Sequence, residues 1–128
     1  MPKRRVVITG LGIISPVGNT VEQAWSNILA GKSGISWITR FDPTAFSSQI
    51  AGEVKGFDVT EYISAKEARR MDIFIHYGLA AGVQAIKDSG IVVTPENAER
   101  IGVNIGSGIG GLPMIEDTHN TYLEGGPR

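Results

Sequence analysis

Cysteine is absent from the 128 residues. That excludes a disulfide, a thiolate zinc site and a cysteine nucleophile within them. Histidine occurs only at His76 and His119. Glu116 and His119 have the spacing of a carboxylate-bridged di-metal helix, but such a site needs a second Glu-x-x-His. No acid stands three residues before His76, so no metal is expected. A serine nucleophile lacks its G-x-S-x-G elbow, and a Walker A sequence is also missing. No apolar run is long enough to span a bilayer. Charge of one sign does not dominate either: 12 Lys and Arg face 13 Asp and Glu, a net charge of −1. This argues against bulk attraction to nucleic acid or anionic lipid. The opening MPKRRVVITGLGII imitates a secretion signal, but Thr9, Gly10 and Gly12 break its apolar run and no small-x-small site follows. It reads as a buried strand of a cytoplasmic protein.

What remains is a globular composition, 41% apolar and 20% charged, at a length that suits one ordinary domain. Glycine is the exception, with 17 residues, roughly twice average usage. Most glycines sit beside apolar runs, where they allow positive φ or close backbone approach. No linker or repeat marks a second domain.

Val6–Ile8 is a continuous β-branched run, suited to a strand buried on both faces of a parallel sheet. Thr20 and Gln23 form a capping-box pattern before a helix with Val21, Trp25, Ile28 and Leu29 on one face. Gly31 stops it. Lys32 to Phe57 reads as irregular, with a turn at Asp42-Pro43 and a possible strand within Gln49–Val54. Ser64 and Glu67 repeat the capping spacing and open the longest expected helix, about Ala65 to Ser89. Its apolar positions are Ala68, Met71, Ile75, Leu79, Val83 and Ile86. Gly78 and Gly82, one turn apart, predict close packing there. Thr94-Pro95 begins a short helical turn. Ile101–Ile105 reads as a second buried strand, Gly106–Gly111 as a glycine-rich loop, and Leu112–Leu123 as a last helix. Strands alternating with helices predict an α/β fold with a mostly parallel sheet.

Two constellations remain as candidate sites. Gly106-Ser-Gly108-Ile-Gly110-Gly111 satisfies G-x-G-x-x-G between a strand and a helix. The acid expected about 20 residues later is represented only by Glu124, inside a helix, so close turns explain the glycines better than a dinucleotide does. Lys66, Arg69 and Arg70 share one helix face at offsets of three and four. In the first two turns of a long helix they would oppose the macrodipole, which Glu67 and Asp72 only partly offset. This marks either a solvated basic face or a dock for an acidic partner.

Several separated motifs then agree. RRVVITGLGIISPVGN, ILAGKSGI, FDPTAFSSQIAGEV, ARRMDIFIHYGLAAGVQAIKDSG and RIGVNIGSGIGG occur in this order. Together they resemble the β-ketoacyl-acyl-carrier-protein synthases, most closely the elongating synthase II type, over essentially the whole chain. The resemblance implies the amino-terminal part of a thiolase-like layered fold, incomplete here, in an enzyme that is usually a homodimer. It implies transfer of an acyl group from acyl carrier protein to a cysteine, then decarboxylative condensation with malonyl-carrier protein, with the carrier's phosphopantetheine bearing both groups. No cofactor is implied.

The catalytic cysteine, histidines and lysine of that family are expected downstream of residue 128, and residues 1–128 contribute no catalytic residue. His76 and His119 do not match its histidine motifs. Lys66, Arg69 and Arg70 match positions that contact the acidic helix of the carrier protein. Ile109 matches a position lining the acyl-chain pocket near the dimer interface. The leading expectation is thus an amino-terminal fragment of such a synthase. A noncatalytic carrier-binding module and a small nucleotide-binding domain stand as alternatives.

Overall fold

The computed structural model describes residues 3–127. Its helices are α1 (Val21–Leu29), α2 (Ala65–Ala68), α3 (Ile73–Ser89) and α4 (Leu112–Gly125), and its strands are β1 (Ile35–Trp37) and β2 (Ile50–Gly52). Short 3₁₀ turns cover Val59–Glu61 and Ala98–Arg100. Two compact units are interleaved along the chain. One joins the chain through Asp58 to Ala80–Ile91, and the other joins Val59–Leu79 to the chain from Val92 onward. The exchange between them falls inside α3, so no linker composition could announce it.

In the first unit, α1 begins at the expected N-cap, with half of the expected capping box formed. The Thr20 hydroxyl accepts the Gln23 amide at 3.2 Å, while the Gln23 carboxamide reaches back to the Asn19 amide at 2.7 Å. Gly31, at φ +66°, ends the helix in a left-handed conformation that other residues avoid. β1 and β2 pair antiparallel, with Ser36 opposite Ala51. β2 falls within the expected Gln49–Val54, whereas β1 lies in the stretch read as irregular. Three residues are too few for a periodic signal.

The chain before α1 lies along the second half of α3. A Cβ on Gly12 would strike the Ala81 carbonyl and the Ala85 amide, and one on Gly10 would strike the Ala85 carbonyl and the Ser89 amide. Two side chains of α3 then accept backbone amides: Asp88 from Leu11 at 2.8 Å and Gln84 from Ile13 at 3.1 Å. The spacing fits, since two residues of extended chain cover about 6.6 Å and one helical turn of four residues about 6 Å. Gln84 also donates to the Asn19 carbonyl at 2.7 Å, fixing the entry to α1. The close approach expected at helix glycines is therefore made by glycines of the extended chain against helix alanines. Gly78 itself meets only ordinary contact, 3.5 Å from Ile105 Cγ2.

Two expected buried strands are not formed. Val6 is 92% exposed and Val103 77% exposed, and neither Val6–Ile8 nor Ile101–Ile105 pairs with another strand. A strand's ladder and both covered faces come from its neighbours, and the described residues supply none to these segments. The α/β class is present, but its parallel sheet is incomplete: the sheet among the described residues is the antiparallel pair β1–β2.

The second unit corrects the longest expected helix, which is two helices with a break between Ala68 and Ile73. Backbone bonds from Arg70 to the Glu67 carbonyl and from Met71 to the Ala68 carbonyl tighten the chain there. Pro95 opens the helical turn expected there, with the Thr94 carbonyl accepting the Asn97 and Ala98 amides at 3.1 and 2.9 Å, and a 3₁₀ turn follows at Ala98–Arg100. α4 starts at Leu112 as expected and runs two residues past Leu123.

The apolar core among the described residues is thin: Ala24, Ala68 and Ala80. A compact monomer of 13.7 kDa exposes roughly 6,600 Å², and two separate compact units of half that mass roughly 8,000 Å². The chain exposes 10570 Å². Exposed side chains include Val7, Ile8, Trp25, Leu29, Trp37, Leu112 and Leu123. Such a surface drives association. The 128-residue chain is expected to bind an apolar-surface dye strongly and to self-associate at micromolar concentration in sedimentation velocity. A monomer with a sharp melt and no dye binding contradicts this.

Candidate functional site: the basic segment and the glycine loop

α2 is opened by a complete capping box. Ser64 Oγ accepts the Glu67 amide at 3.2 Å, and Glu67 Oε2 accepts both the Ser64 hydroxyl at 2.6 Å and the Ser64 amide at 3.2 Å. The Ser64 hydroxyl, and after it the Ser64 amide, holds the Glu67 carboxyl below the usual glutamate range.

The helix closes after one turn, and the basic residues stand at its far end. Lys66 lies in its last turn, Arg69 is its C-cap, and Arg70 follows. Arg69 Nε donates to the Ala65 carbonyl at 3.3 Å, and His76 Nε2 lies 2.9 Å from the Ala68 carbonyl. All three basic side chains are exposed. The sequence had placed them in the first turns of a long helix, where the dipole opposes them. In the structure they sit beside carbonyl ends, where cations are favoured. No local rule is broken there.

The residue that sequence reasoning missed is Asp72. It was read as a partial charge offset, yet it is the only charged side chain buried among the described residues, 8% exposed. Its Oδ1 accepts the Ile73 amide at 2.5 Å and its Oδ2 the Met114 amide at 3.1 Å. An Asp directly before an apolar helical run is a helix-start signal. The apparent periodicity running through from Ala68 concealed it.

The glycine loop leads into this junction. Gly110 has φ +84°, and a Cβ there would lie 3.4 Å from the Phe74 ring. A Cβ on Gly111 would overlap the Asp72 carboxylate. Ile109 is 76% exposed. Beside the loop, α4 and the start of α3 border an open, mainly apolar groove of about 680 Å³ lined by Phe74, Ile75, Met114, Ile115 and Tyr122, with Arg70 among its polar residues.

This geometry opposes a dinucleotide at the loop. A pyrophosphate would need the free amides at the start of α4, and the Asp72 carboxylate already accepts from Met114 there. His119 is exposed on α4, and no group of three His, Asp or Glu able to hold a metal occurs among the described residues.

Comparison with known proteins agrees with the motif order. Residues 3–126 match the family model described as "Beta-ketoacyl synthase, N-terminal domain". The chain belongs to the β-ketoacyl synthase family. It is 62% identical over 128 residues to the 3-oxoacyl-[acyl-carrier-protein] synthase 2 of Vibrio cholerae, covering 100% of this chain and 31% of that relative. The enzyme of the same name from Coxiella burnetii is 50% identical over the same shares. Among solved structures, the ishigamide ketosynthase/chain length factor superposes with a TM-score of 0.78 at 31% identity, covering 98% of this chain and 31% of that one. A type II PKS acyl-carrier protein in complex with its ketosynthase gives a TM-score of 0.73 at 29% identity, covering 94% of this chain and 32% of the other. The fold is thus that of the thiolase-like ketosynthases, and the chain spans about a third of the length of the curated relatives it matches.

The capping box yields a pH dependence. Because Glu67 is held below its unfolded value, its contribution is complete above the ordinary glutamate range and is lost as pH falls through the folded value. Protection of the Ser64 and Glu67 amides, corrected for intrinsic exchange, should decline on acidification. Glu67→Gln should flatten that dependence, and an equally steep curve in the variant refutes it.

Proposed function

We propose that these residues form the amino-terminal part of a 3-oxoacyl-acyl-carrier-protein synthase of the elongating type. The enzyme extends fatty acyl chains by decarboxylative condensation with malonyl-acyl-carrier protein. The observation that carries this reading is identity of 62% along the entire chain to a synthase 2. A thiolate suits both steps, as nucleophile toward the acyl thioester and as leaving group toward the incoming carbanion. Since the chain has no cysteine, the nucleophile belongs to residues beyond 128, with the histidines that hydrogen-bond the thioester carbonyl and the supporting lysine. The reading carries with it a homodimer, a cytoplasmic location, and a carrier protein whose phosphopantetheine delivers the acyl and malonyl groups.

Within residues 1–128 the proposed roles are recognition and positioning. Lys66, Arg69 and Arg70 dock the acidic carrier, and Ile109 lines the acyl pocket once neighbouring structure covers it. Support for docking comes from the exposure of all three cations on one short segment. A solved relative of this fold is, moreover, a ketosynthase in complex with an acyl-carrier protein. The exposed basic segment alone would also serve a second reading, a noncatalytic carrier-binding module. The reading frame after Arg128 separates the two: a cysteine motif followed by two histidine motifs supports the synthase, and a stop codon supports the module.

The chain of 128 residues should form no covalent acyl-enzyme. Incubation with radiolabelled acyl-carrier protein should leave the denatured polypeptide unlabelled, and stoichiometric hydroxylamine-sensitive label would contradict this. In the full-length protein, Arg69→Glu with Arg70→Glu should lower kcat/KM for carrier-bound substrates about tenfold at low salt, mainly through association. Carrier-free thioesters should react almost normally, provided dimerisation and melting are unchanged. Equal losses with both substrate classes would make the patch structural.

A further inference from the structure

Asp72 divides its two carboxylate oxygens between two helices. Oδ1 receives the amide that opens α3, and Oδ2 receives the Met114 amide in the first turn of α4. A helix N-terminus presents unpaired amides and a partial positive charge. One buried carboxylate therefore satisfies two such ends across 42 residues of sequence. The Asp72 carbonyl also accepts the Ile75 amide at 3.0 Å, so its backbone is already part of α3.

The glycine loop is fitted to this carboxylate. Gly111 has no room for a Cβ because Asp72 Oδ2 and Cγ occupy the space. Gly110, with φ +84°, closes against the Phe74 ring two residues beyond Asp72. Ile109 directly precedes these two glycines, so its backbone position follows from where they lock. The carboxylate also stands two residues after Arg70, at the end of the basic segment.

We propose that Asp72 is a positioning residue that locks the glycine loop and α4 onto the start of α3 and thereby sets the length of acyl chain accepted at Ile109. The proposal rests on the reading of Ile109 as pocket lining. Asparagine is nearly isosteric but cannot replace the carboxylate. Its single oxygen can serve one helix, and its amide group would face the N–H of the other.

The test uses the full-length synthase and acyl-carrier substrates of graded chain length. Asp72→Asn should change the ratio of kcat/KM between long and short acyl groups about tenfold. The KM for malonyl-carrier protein, which reports docking, should not move. Gly111→Ala presses on the same carboxylate from the opposite side and should shift the ratio in the same direction, which keeps the test available if Asp72→Asn folds poorly. Hydrogen exchange should show the Met114 amide losing protection in Asp72→Asn while the Ser64 and Glu67 amides keep theirs. An active enzyme whose variants lose activity equally at every chain length, in step with melting temperature, overturns the assignment and makes Asp72 merely structural. An unchanged ratio overturns it as well. A parent enzyme that condenses no acyl substrate is a different result: it overturns the functional reading, and the proposal falls with it.

Discussion

The packing of the extended chain at Gly10–Ile13 against the second half of α3 is the constraint on which the first unit depends. Gly10 and Gly12 bring the chain onto helix backbone where no Cβ fits. Asp88 and Gln84 take the Leu11 and Ile13 amides, and Gln84 ties the Asn19 carbonyl just before α1. Magnitudes rank these effects. The neutral Ile13–Gln84 bond contributes about 1 kcal/mol net and the exposed bond to the charged Asp88 somewhat more, whereas a Cβ 2.0–2.2 Å from helix carbonyl oxygens has no room unless the backbone moves. Glycine at positions 10 and 12 and alanine at 81 and 85 therefore decide whether the chain can lie there. The side-chain acceptors decide its register once it does.

Legibility followed the range of the interaction. α1, the Ser64–Glu67 box and the start of α4 were readable because their signals span three or four residues, as caps and periodic faces do. The break between α2 and α3 was not. Ala68, Met71 and Ile75 keep helical spacing across it, and the carboxylate that starts α3 gains its second partner from Met114. β1 is too short to announce itself. Val6–Ile8 and Ile101–Ile105 have the composition of central strands, but composition states only what a segment needs around it. Their exposure shows that the need is unmet within the described residues.

The candidate site shows the same division. The identities of Lys66, Arg69 and Arg70 were legible, but their placement on a helix was not, and the change matters physically. Cations at the carbonyl end of a four-residue helix are locally comfortable, so no strain argument singles them out. What singles them out is the resemblance carried by the order of motifs along the chain, together with their exposure. The glycine loop gives the converse lesson. Its pattern satisfies a nucleotide fingerprint, yet the amide a phosphate would use is taken by a carboxylate of the same unit.

Gly110 and Gly111 are therefore explained by what they adjoin rather than by a ligand. Gly111 makes room for Asp72, and Gly110 takes up a positive φ that turns the chain past Phe74. A charged group that is buried yet shared between two helix ends is costly to move, because either oxygen released from its amide loses a charge-assisted hydrogen bond and remains poorly solvated. Substitution at Gly111 would force that movement. The Gly110–Gly111 end of the loop thus has few accessible positions, and Ile109 directly precedes it. On the proposed reading of Ile109 as pocket lining, such placement would limit length, because an added methylene that is not accommodated loses its burial, about 0.8 kcal/mol, and also meets steric resistance. On that reading, selectivity among acyl chains is set by residues that perform none of the bond-making chemistry.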